Sequence, residues 1–207
     1  KDLSLQIASQ LAIILEKTQL YKGIKLNKQL IAQKKSLQQR VTHDALTGLF
    51  NRPAIFDILH KQILRAKRGG LQIAVIMIDI DHFKTINDTC GHLTGDAVLC
   101  EIASRLTQSA RSHEYIGRYG GEEFLVIISP YDQVGALKAA ERFRDAIACK
   151  EINANQILVP VTISLGVAIG IEPETLDENL LLRRADEALY SAKHKGRNRV
   201  EVAKADD

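Results

Sequence analysis

The sequence predicts an α/β domain with a central, mostly antiparallel sheet flanked by helices, preceded by a long N-terminal helix. Three observations predict this class. Residues 71–80 (LQIAVIMIDI) form a near-continuous apolar run of strand length, which is typical of a strand buried on both faces. Helical patterns alternate with further strand-like runs after it. Residues 1–42 contain no proline and a single glycine, Gly23, which permits one uninterrupted helix.

Residues 1–42 carry apolar side chains at helical spacing. The steps are three, four or seven residues, through Leu3, Ile7, Ile14, Tyr21, Ile24 and Ile31. The pattern then changes phase to Leu26, Leu30, Leu37 and Val41, as at a stutter in a coiled coil. We predict a parallel two-stranded coiled coil, weakened by polar residues such as Lys17 and Lys28 at the seam. The alternative is a single amphipathic helix that packs on another domain.

The second predicted domain covers residues 43–207. Its remaining elements follow the strand at 71–80 and are delimited by caps, turns and proline. They are a helix at 96–111 with Asp96 as N-cap, two strands over 115–128 around a Gly120-Gly121 turn, a helix at 132–150, a strand at 158–169 with Pro160 near its start, a helix at 180–195 closed by Gly196, and an edge strand at 199–202.

Composition excludes several classes of protein. The 28 Lys and Arg against 25 Asp and Glu leave a net charge of +3, too small to indicate nucleic-acid binding. Three scattered cysteines indicate reduced thiols and no disulfide framework. No apolar run has the length of a membrane span, so we expect no membrane contact and a cytoplasmic location. The chain begins with Lys1 and its one methionine is Met77, so we expect it to be part of a longer protein.

Acidic residues stand where predicted strands end or begin. Asp79 and Asp81 close the apolar run, and Glu122 and Glu123 follow the Gly-Gly turn. Because side chains alternate along a strand, we expect at most one of the two glutamates to join Asp79 directly. That pair would form a two-carboxylate Mg²⁺ site that binds substrate phosphates. The alternative is that these acids are solvated loop residues or helix caps.

Polar residues between the two acidic segments suit a nucleotide. A lysine such as Lys84 could meet a phosphate. Asn87 together with an aspartate such as Asp96 could recognise guanine, because a carboxylate accepts from N1–H and the exocyclic amine, which adenine lacks. The alternative is structural, since asparagine and aspartate also suit turns and N-caps, and a lone His92 would more often be a turn residue.

Residues 192–199 (AKHKGRNR) concentrate basic side chains at the end of a predicted helix. Lys193 and Arg197 could reach triphosphate oxygens. The alternative is that the bases compensate the helix dipole. No aromatic residues are interleaved with them, which disfavours a nucleic-acid arm.

Six segments in order closely resemble the GGDEF family of diguanylate cyclases over about residues 42–202. They are DALTGLFNR (44–52), DIDHFKTIND (79–88), GHLTGD (91–96), RYGGEEF (118–124), VTISLGV (161–167) and AK with GRNR (192–193 and 196–199). A lone GGEEF would be weak evidence, whereas six ordered segments are specific. The resemblance implies a palm-like nucleotide-cyclase fold and the synthesis of cyclic di-GMP from two GTP molecules with release of two pyrophosphates.

The resemblance also implies residue roles. Asp79, Glu122 and the carbonyl of Ile80 would bind Mg²⁺ or Mn²⁺. Glu122 would help to deprotonate the attacking 3′-hydroxyl, with Glu123 in support. The substrate-binding residues would be Asn87 and Asp96 for guanine, His92 nearby, and Phe83, Lys84, Lys193 and Arg197 for the phosphates.

A domain of this family holds one GTP, so the reaction needs two domains facing each other. A coiled coil over residues 1–42 would supply that homodimer and hold the two domains at high effective concentration. Residues 6–16 (QIASQLAIILE) resemble the last helix of a GAF sensor domain. We therefore expect an upstream sensor whose signal sets the geometry of the dimer.

One segment departs from the family pattern. Many members carry Arg-x-x-Asp, an inhibitory product site, shortly before the Gly-Gly pair, and here that segment is RSHE, from Arg111 to Glu114. Because glutamate is one methylene longer, we predict weak or absent product inhibition. Three other functions are alternatives to an active enzyme: a silent GTP-binding regulatory module, a cyclase with a monocyclic product, and a structural dimerisation protein.

Overall fold

A computed structural model describes residues 41–130, 132–171 and 176–203, together with Lys17 and residues 26–28. The chain divides into two compact units, Lys1–Val41 and Thr42–Asp207. Lys17 and residues 26–28 are helical. The rest of the predicted coiled coil, and the segment that resembles a GAF helix, lie outside the described residues.

The described part of the second unit contains five helices and seven strands. In chain order they are α1 (Arg52–Gly69), β1 (Ile73–Ile80), α2 (Phe83–Cys90), α3 (His92–Ser109), β2 (Glu114–Gly120), β3 (Glu123–Ile128), α4 (Gln133–Ala148), β4 (Ile152–Ala154), β5 (Ile157–Val159), β6 (Ile163–Gly170), α5 (Glu178–His194) and β7 (Val200–Val202).

A five-stranded sheet forms the centre of the domain, in the order β2-β3-β1-β6-β7. The first three pairings are antiparallel and the last, β6 with β7, is parallel. Strands β4 and β5 form a separate hairpin. All eight residues of β1 are buried, because the strand lies mid-sheet between two helical layers. The predicted mixed α/β class with a mostly antiparallel sheet is confirmed.

Two apolar clusters cover the two faces of the sheet. Ile76 and Ile78 of β1 pack into the cluster that contains Val98 of α3 and Phe143 of α4. Alternate β1 residues, including Met77, pack into the cluster with α1 and α5. Strand β6 approaches α5 closely, since a Cβ on Gly166 would lie 2.1 Å from a carbonyl oxygen of α5. The sheet is therefore packed on both faces, and this packing holds the strand that carries Asp79.

Two predicted elements were wrong in detail. Helix α3 begins at His92, with Gly91 as N-cap at φ +84°, so Asp96 lies inside the helix and does not cap it. The strand predicted at 158–169 is two strands in different sheets, β5 and β6, separated at Pro160, whose nitrogen cannot donate to a ladder. Helices α1 and α2 and strand β4 were not predicted as elements. Pro53 occupies the first turn of α1, a position that proline favours.

None of the described helices is both long and apolar enough to cross a membrane.

Candidate active site

The end of β1 carries Asp79, the first predicted metal ligand. Asp79 is 5% exposed, and it lies opposite Glu123 on β3 and Ser164 on β6. The turn between β2 and β3 contains Gly121 at φ +50° and Glu122. Glu122 precedes β3 and lines one cavity with Asp79, while Glu123 is the cross-strand neighbour of Asp79 on β3.

The electrostatics of these acids favour a cation. Lys193 Nζ lies 2.8 Å from Asp79 Oδ2. Burial raises the pKa of Asp79, against the opposing effect of Lys193. Burial and then the charge of Asp79 raise the pKa of both Glu122 and Glu123. Burial and the mutual repulsion of the acids therefore make it costly to ionise the three carboxylates, despite the positive charges of Lys193, Arg197 and Arg52. A divalent cation would offset that cost.

A cavity of about 230 Å³ joins most of the predicted phosphate and metal residues. It is lined by residues 79–85 with Glu122, Lys193 and Arg197. The first turn of α2 contributes Phe83, which is buried, and Lys84, which is exposed. The structure therefore brings together the predicted phosphate contacts, which come from two segments more than a hundred residues apart.

The donors around Asp79 fit a hard divalent metal. Asp79, Glu122 and the Ile80 carbonyl offer only oxygen, the ligand type that Mg²⁺ and Mn²⁺ prefer. In the part of the chain that the structure covers, no group of three or more His, Cys, Asp or Glu side chains could hold a metal. In a site of two carboxylates and a carbonyl, substrate and water would have to supply the other ligands.

The predicted guanine residues meet at the corner between α2 and α3. Asn87 lies on α2 with Oδ1 directly over Gly95, where a Cβ would come within 1.9 Å of it. Asp96 is the next residue on α3 and is exposed, and His92 is exposed in the first turn of α3. No hydrogen bond from the side chains of Asn87 or Asp96 to any other described residue is found. Both are thus available to a base.

Arg118 holds the Gly-Gly turn, a role that the sequence argument missed. Its Nε and Nη2 donate to the Gly121 carbonyl at 3.0 and 2.8 Å, and its Nη1 donates to Asp44 at 3.1 Å. Asp44 also accepts from the backbone and hydroxyl of Thr47. Asp44 and Arg118 both belong to the segments that carry the family resemblance, so a signal for this contact was present in the sequence.

The predicted product site consists of Arg111 and Glu114, and the Glu114 side chain is not open to a ligand. The side chain of Glu114 is fully buried, and Arg142 Nη2 donates to both of its oxygens at 2.5 and 2.6 Å. The Arg111 backbone N–H also donates to Glu114, at 2.8 Å. Arg111 and Glu114 are therefore adjacent, but the carboxylate is turned into the protein. Arg142 was not anticipated from sequence.

Comparison with known proteins identifies the family. The family model described as "Diguanylate cyclase, GGDEF domain" matches residues 41–199. The chain belongs to the GGDEF family. The resemblance inferred from the six sequence segments is confirmed, and the GGDEF domain accounts for most of the chain.

Curated relatives are longer than this chain. Diguanylate cyclase DosC of Escherichia coli (strain K12) is 39% identical over 170 residues, which is 81% of this chain and 36% of DosC. Response regulator PleD of Caulobacter vibrioides (strain NA1000 / CB15N) is 44% identical over 176 residues, or 82% of this chain and 37% of PleD. This GGDEF chain therefore spans little more than a third of the length of either relative.

Solved structures of GGDEF domains share the fold. The coiled coil and GGDEF domain of DgcB from Caulobacter crescentus, in complex with c-di-GMP, matches with a TM-score of 0.80 and 32% identity, covering 90% of this chain and 98% of that one. The active GGEEF domain of a diguanylate cyclase from Vibrio cholerae matches with a TM-score of 0.69 and 33% identity, covering 75% and 99%.

Proposed function

We propose that this GGDEF chain is an active diguanylate cyclase that condenses two GTP molecules into cyclic di-GMP and releases two pyrophosphates. One observation carries the proposal: Asp79, Glu122, Lys193 and Arg197 line one cavity, and α2 leads from that cavity to Asn87, whose side chain makes no hydrogen bond to the described residues. These are the side chains that metal binding, phosphate contact and purine recognition would require. With GTP as its substrate, the enzyme would work in the cytoplasm.

Guanine recognition follows from the chemistry of Asn87 and Asp96. The Asp96 carboxylate accepts from N1–H and the exocyclic amine of guanine, and the Asn87 amide pairs with N3 or O6. Adenine presents neither of those donors, so an adenine nucleotide would leave the Asp96 carboxylate without partners. His92, in the first turn of the same helix, would lie near the bound substrate.

The triphosphate would lie in the cavity beside Asp79. Helix α2 begins at Phe83, and the first amides of a helix have no partner within the helix, so they can donate to phosphate oxygens. Lys84, Lys193 and Arg197 would add positive charge on the same side. Lys193 would then move from its contact with Asp79 toward phosphate when a metal ion binds the carboxylate.

The chain's own residues would carry the proton and hold the metal. Asp79, Glu122 and the Ile80 carbonyl would bind Mg²⁺ or Mn²⁺, which supplies charge neutralisation and lowers the pKa of a nearby hydroxyl. Glu122, supported by Glu123, accepts the proton of the 3′-hydroxyl. The O3′–Pα bond forms while the bond between Pα and the pyrophosphate oxygen breaks, and pyrophosphate leaves. The same exchange in the second site closes the ring.

We also infer that the enzyme acts as a homodimer. One cavity holds one GTP, so the hydroxyl of one substrate must face the phosphate of another, bound by a second copy. A coiled coil over residues 1–42 would bring two copies together, under the control of an upstream sensor domain. Inserting one residue near Lys34 in the full-length protein would rotate the register of such a coil. Unchanged cyclase output after the insertion would contradict this role.

Two substitutions test the site. Asp79→Asn and Glu122→Gln each remove a charge from the metal site with little change in shape, and we expect both to abolish turnover of GTP. Asp132→Asn is the matched control, because Asp132 caps α4 and accepts from Gly135 N–H far from the cavity. Retained activity in either site variant would refute the metal assignment.

A third substitution tests specificity. Asp96→Ser should reduce the preference for GTP over ATP, measured as the ratio of kcat/KM for the two nucleotides. An unchanged ratio would contradict the guanine role. GTP binding without turnover in the unmodified chain would instead support a regulatory module.

A further inference from the structure

Asp81 lies two residues beyond Asp79 but has different surroundings. It is 4% exposed, and its carboxylate accepts three hydrogen bonds. Ser164 Oγ donates to Oδ1 at 2.6 Å, Thr162 Oγ1 donates to Oδ2 at 2.6 Å, and the Asn198 backbone N–H donates to Oδ2 at 3.0 Å. Asp79 in contrast faces the ammonium group of Lys193. Asp79 and Asp81 therefore lie in different environments, and we expect them to have different roles.

The third donor belongs to a turn with an unusual backbone. Arg197 and Asn198 are consecutive residues in the left-handed region, at φ +62° and +45°. Asparagine adopts this conformation readily, whereas arginine does not. The turn must therefore be held by contacts outside itself. These are Arg197 N–H to the Ala192 carbonyl at 3.0 Å, Arg144 Nη1 to Asn198 Oδ1 at 3.1 Å, and the bond to Asp81.

The same turn presents Arg197 to the cavity. Arg197 lines it together with Asp79 and Lys84, while Asn198, the next residue, is bonded to Asp81. Asp81 is anchored to Ser164 of β6 and to Thr162, the residue before that strand, so it connects the sheet to the turn. Loss of this bond would free the left-handed turn to relax and would move the Arg197 guanidinium.

We propose that Asp81 is a positioning residue that fixes the 196–199 turn so that Arg197 faces the triphosphate. This rests on the proposed function, in which Arg197 contacts phosphate. Asp81 acts through hydrogen-bond geometry, and its charge is not required for binding metal. The alternative role, in which Asp81 supplies a carboxylate to a metal ion, makes the opposite prediction for a neutral isostere.

Two substitutions separate these roles. In Asp81→Asn the amide oxygen can face Asn198 N–H and Thr162, and the NH₂ group can donate to Ser164, whose hydroxyl can turn to accept. We expect this variant to keep KM for GTP and kcat within about threefold of the unmodified enzyme. Asp81→Ala removes all three acceptors. We expect it to raise KM by about tenfold or more, as for one lost charged hydrogen bond, with a much smaller change in kcat.

A double-mutant cycle with Arg197→Ala tests whether Asp81 acts through Arg197. If it does, adding Asp81→Ala to Arg197→Ala leaves KM nearly unchanged, because the group it positions is already absent. Should Asp81→Ala not fold, Asp81→Ser replaces it, since its side chain is one bond shorter and cannot bridge the three donors. Melting temperatures of all variants are measured alongside.

Three results would overturn the proposal: a fall in kcat for Asp81→Asn as deep as for Asp79→Asn, a KM for Asp81→Ala equal to that of the unmodified enzyme, or effects that multiply in the cycle. Turnover of GTP by the unmodified chain shows whether a negative result counts against this proposal or against the proposed function. If it does not turn over GTP, the proposed function fails, and the affinity of inorganic triphosphate for the same variants then tests the position of Arg197 directly.

Discussion

Gly95→Ala is expected to weaken GTP binding without weakening the fold. Gly95 lies inside α3, where alanine stabilises a helix by about 0.5–1 kcal/mol relative to glycine. The new Cβ would lie 1.9 Å from Asn87 Oδ1. An ordinary carbon–oxygen contact is about 3.3 Å, so the Asn87 amide must move by about 1.4 Å. That displacement would remove the hydrogen bonds to guanine that the proposed function assigns to Asn87.

The magnitude follows from the bonds lost. The Asn87 amide can make up to two hydrogen bonds to the base, each contributing about 0.5–1.5 kcal/mol. A loss of about 1–3 kcal/mol corresponds to a five- to 150-fold rise in KM for GTP. Because Asn87 does not touch the reacting atoms, kcat should change far less. The melting temperature should stay equal or rise slightly.

Steady-state kinetics with GTP give KM and kcat, and thermal melting gives the stability. Together they test this prediction. Asn87→Ala is the matched comparison, because it removes the amide directly and should raise KM by a similar factor. In the double variant Asn87→Ala with Gly95→Ala, the new Cβ no longer meets an Asn87 amide. We therefore expect KM for GTP to rise no further than in Asn87→Ala alone. An unchanged KM for Gly95→Ala would refute the reasoning, as would effects of the two substitutions that multiply.

Three further predictions follow from other contacts. Because Arg142 holds the buried carboxylate of Glu114, added cyclic di-GMP at micromolar concentration should leave initial rates within about twofold. Burial and Asp79 raise the folded-state pKa of Glu122, so ionising it costs stability as pH rises; Glu122→Gln should therefore melt higher than the unmodified chain at pH 7 without divalent metal. Arg105 donates to three carbonyls beyond and at the end of α4, so Arg105→Met should lower stability by about 1–3 kcal/mol in thermal melts.

Each of these has a discriminating outcome. Sub-micromolar binding of cyclic di-GMP outside the active site would contradict the closed state of Glu114. The gain from Glu122→Gln should disappear below about pH 4, where the unfolded-state carboxyl is also protonated, and a pH-independent gain would contradict its electrostatic origin. Arg65→Met, on the exposed face of α1, is the control for Arg105→Met. Equal losses from both would show that the three carbonyl contacts contribute nothing.

Features that are local in sequence could be predicted. The run at 71–80 indicated a doubly buried strand ending in Asp79, because apolar content and length alone specify that environment. The acids after the Gly-Gly pair could likewise be predicted as candidate metal ligands, and the bases at 192–199 as candidate phosphate contacts. Their meeting in one cavity was predicted by the family resemblance, since no local pattern encodes which segments pack together.

Features that depend on distant pairing could not be predicted. Asp81 is bonded to Ser164 and Asn198, which are 83 and 117 positions away, so its difference from Asp79 appears only in the folded chain. Asp96 was assigned as an N-cap because aspartate favours that position, but Gly91, at φ +84°, begins the helix earlier. This correction favours the guanine role, because the Asp96 carboxylate is not used in capping.

The most direct test of the proposed function is the product formed from GTP. The purified chain is incubated with GTP and Mg²⁺, and the nucleotide product and pyrophosphate are identified and quantified by mass spectrometry and chromatography. We predict cyclic di-GMP with two pyrophosphates released per molecule, and none from ATP or after removal of divalent metal by a chelator. A monocyclic nucleotide, a linear dinucleotide as the end product, or no turnover of bound GTP would contradict the account.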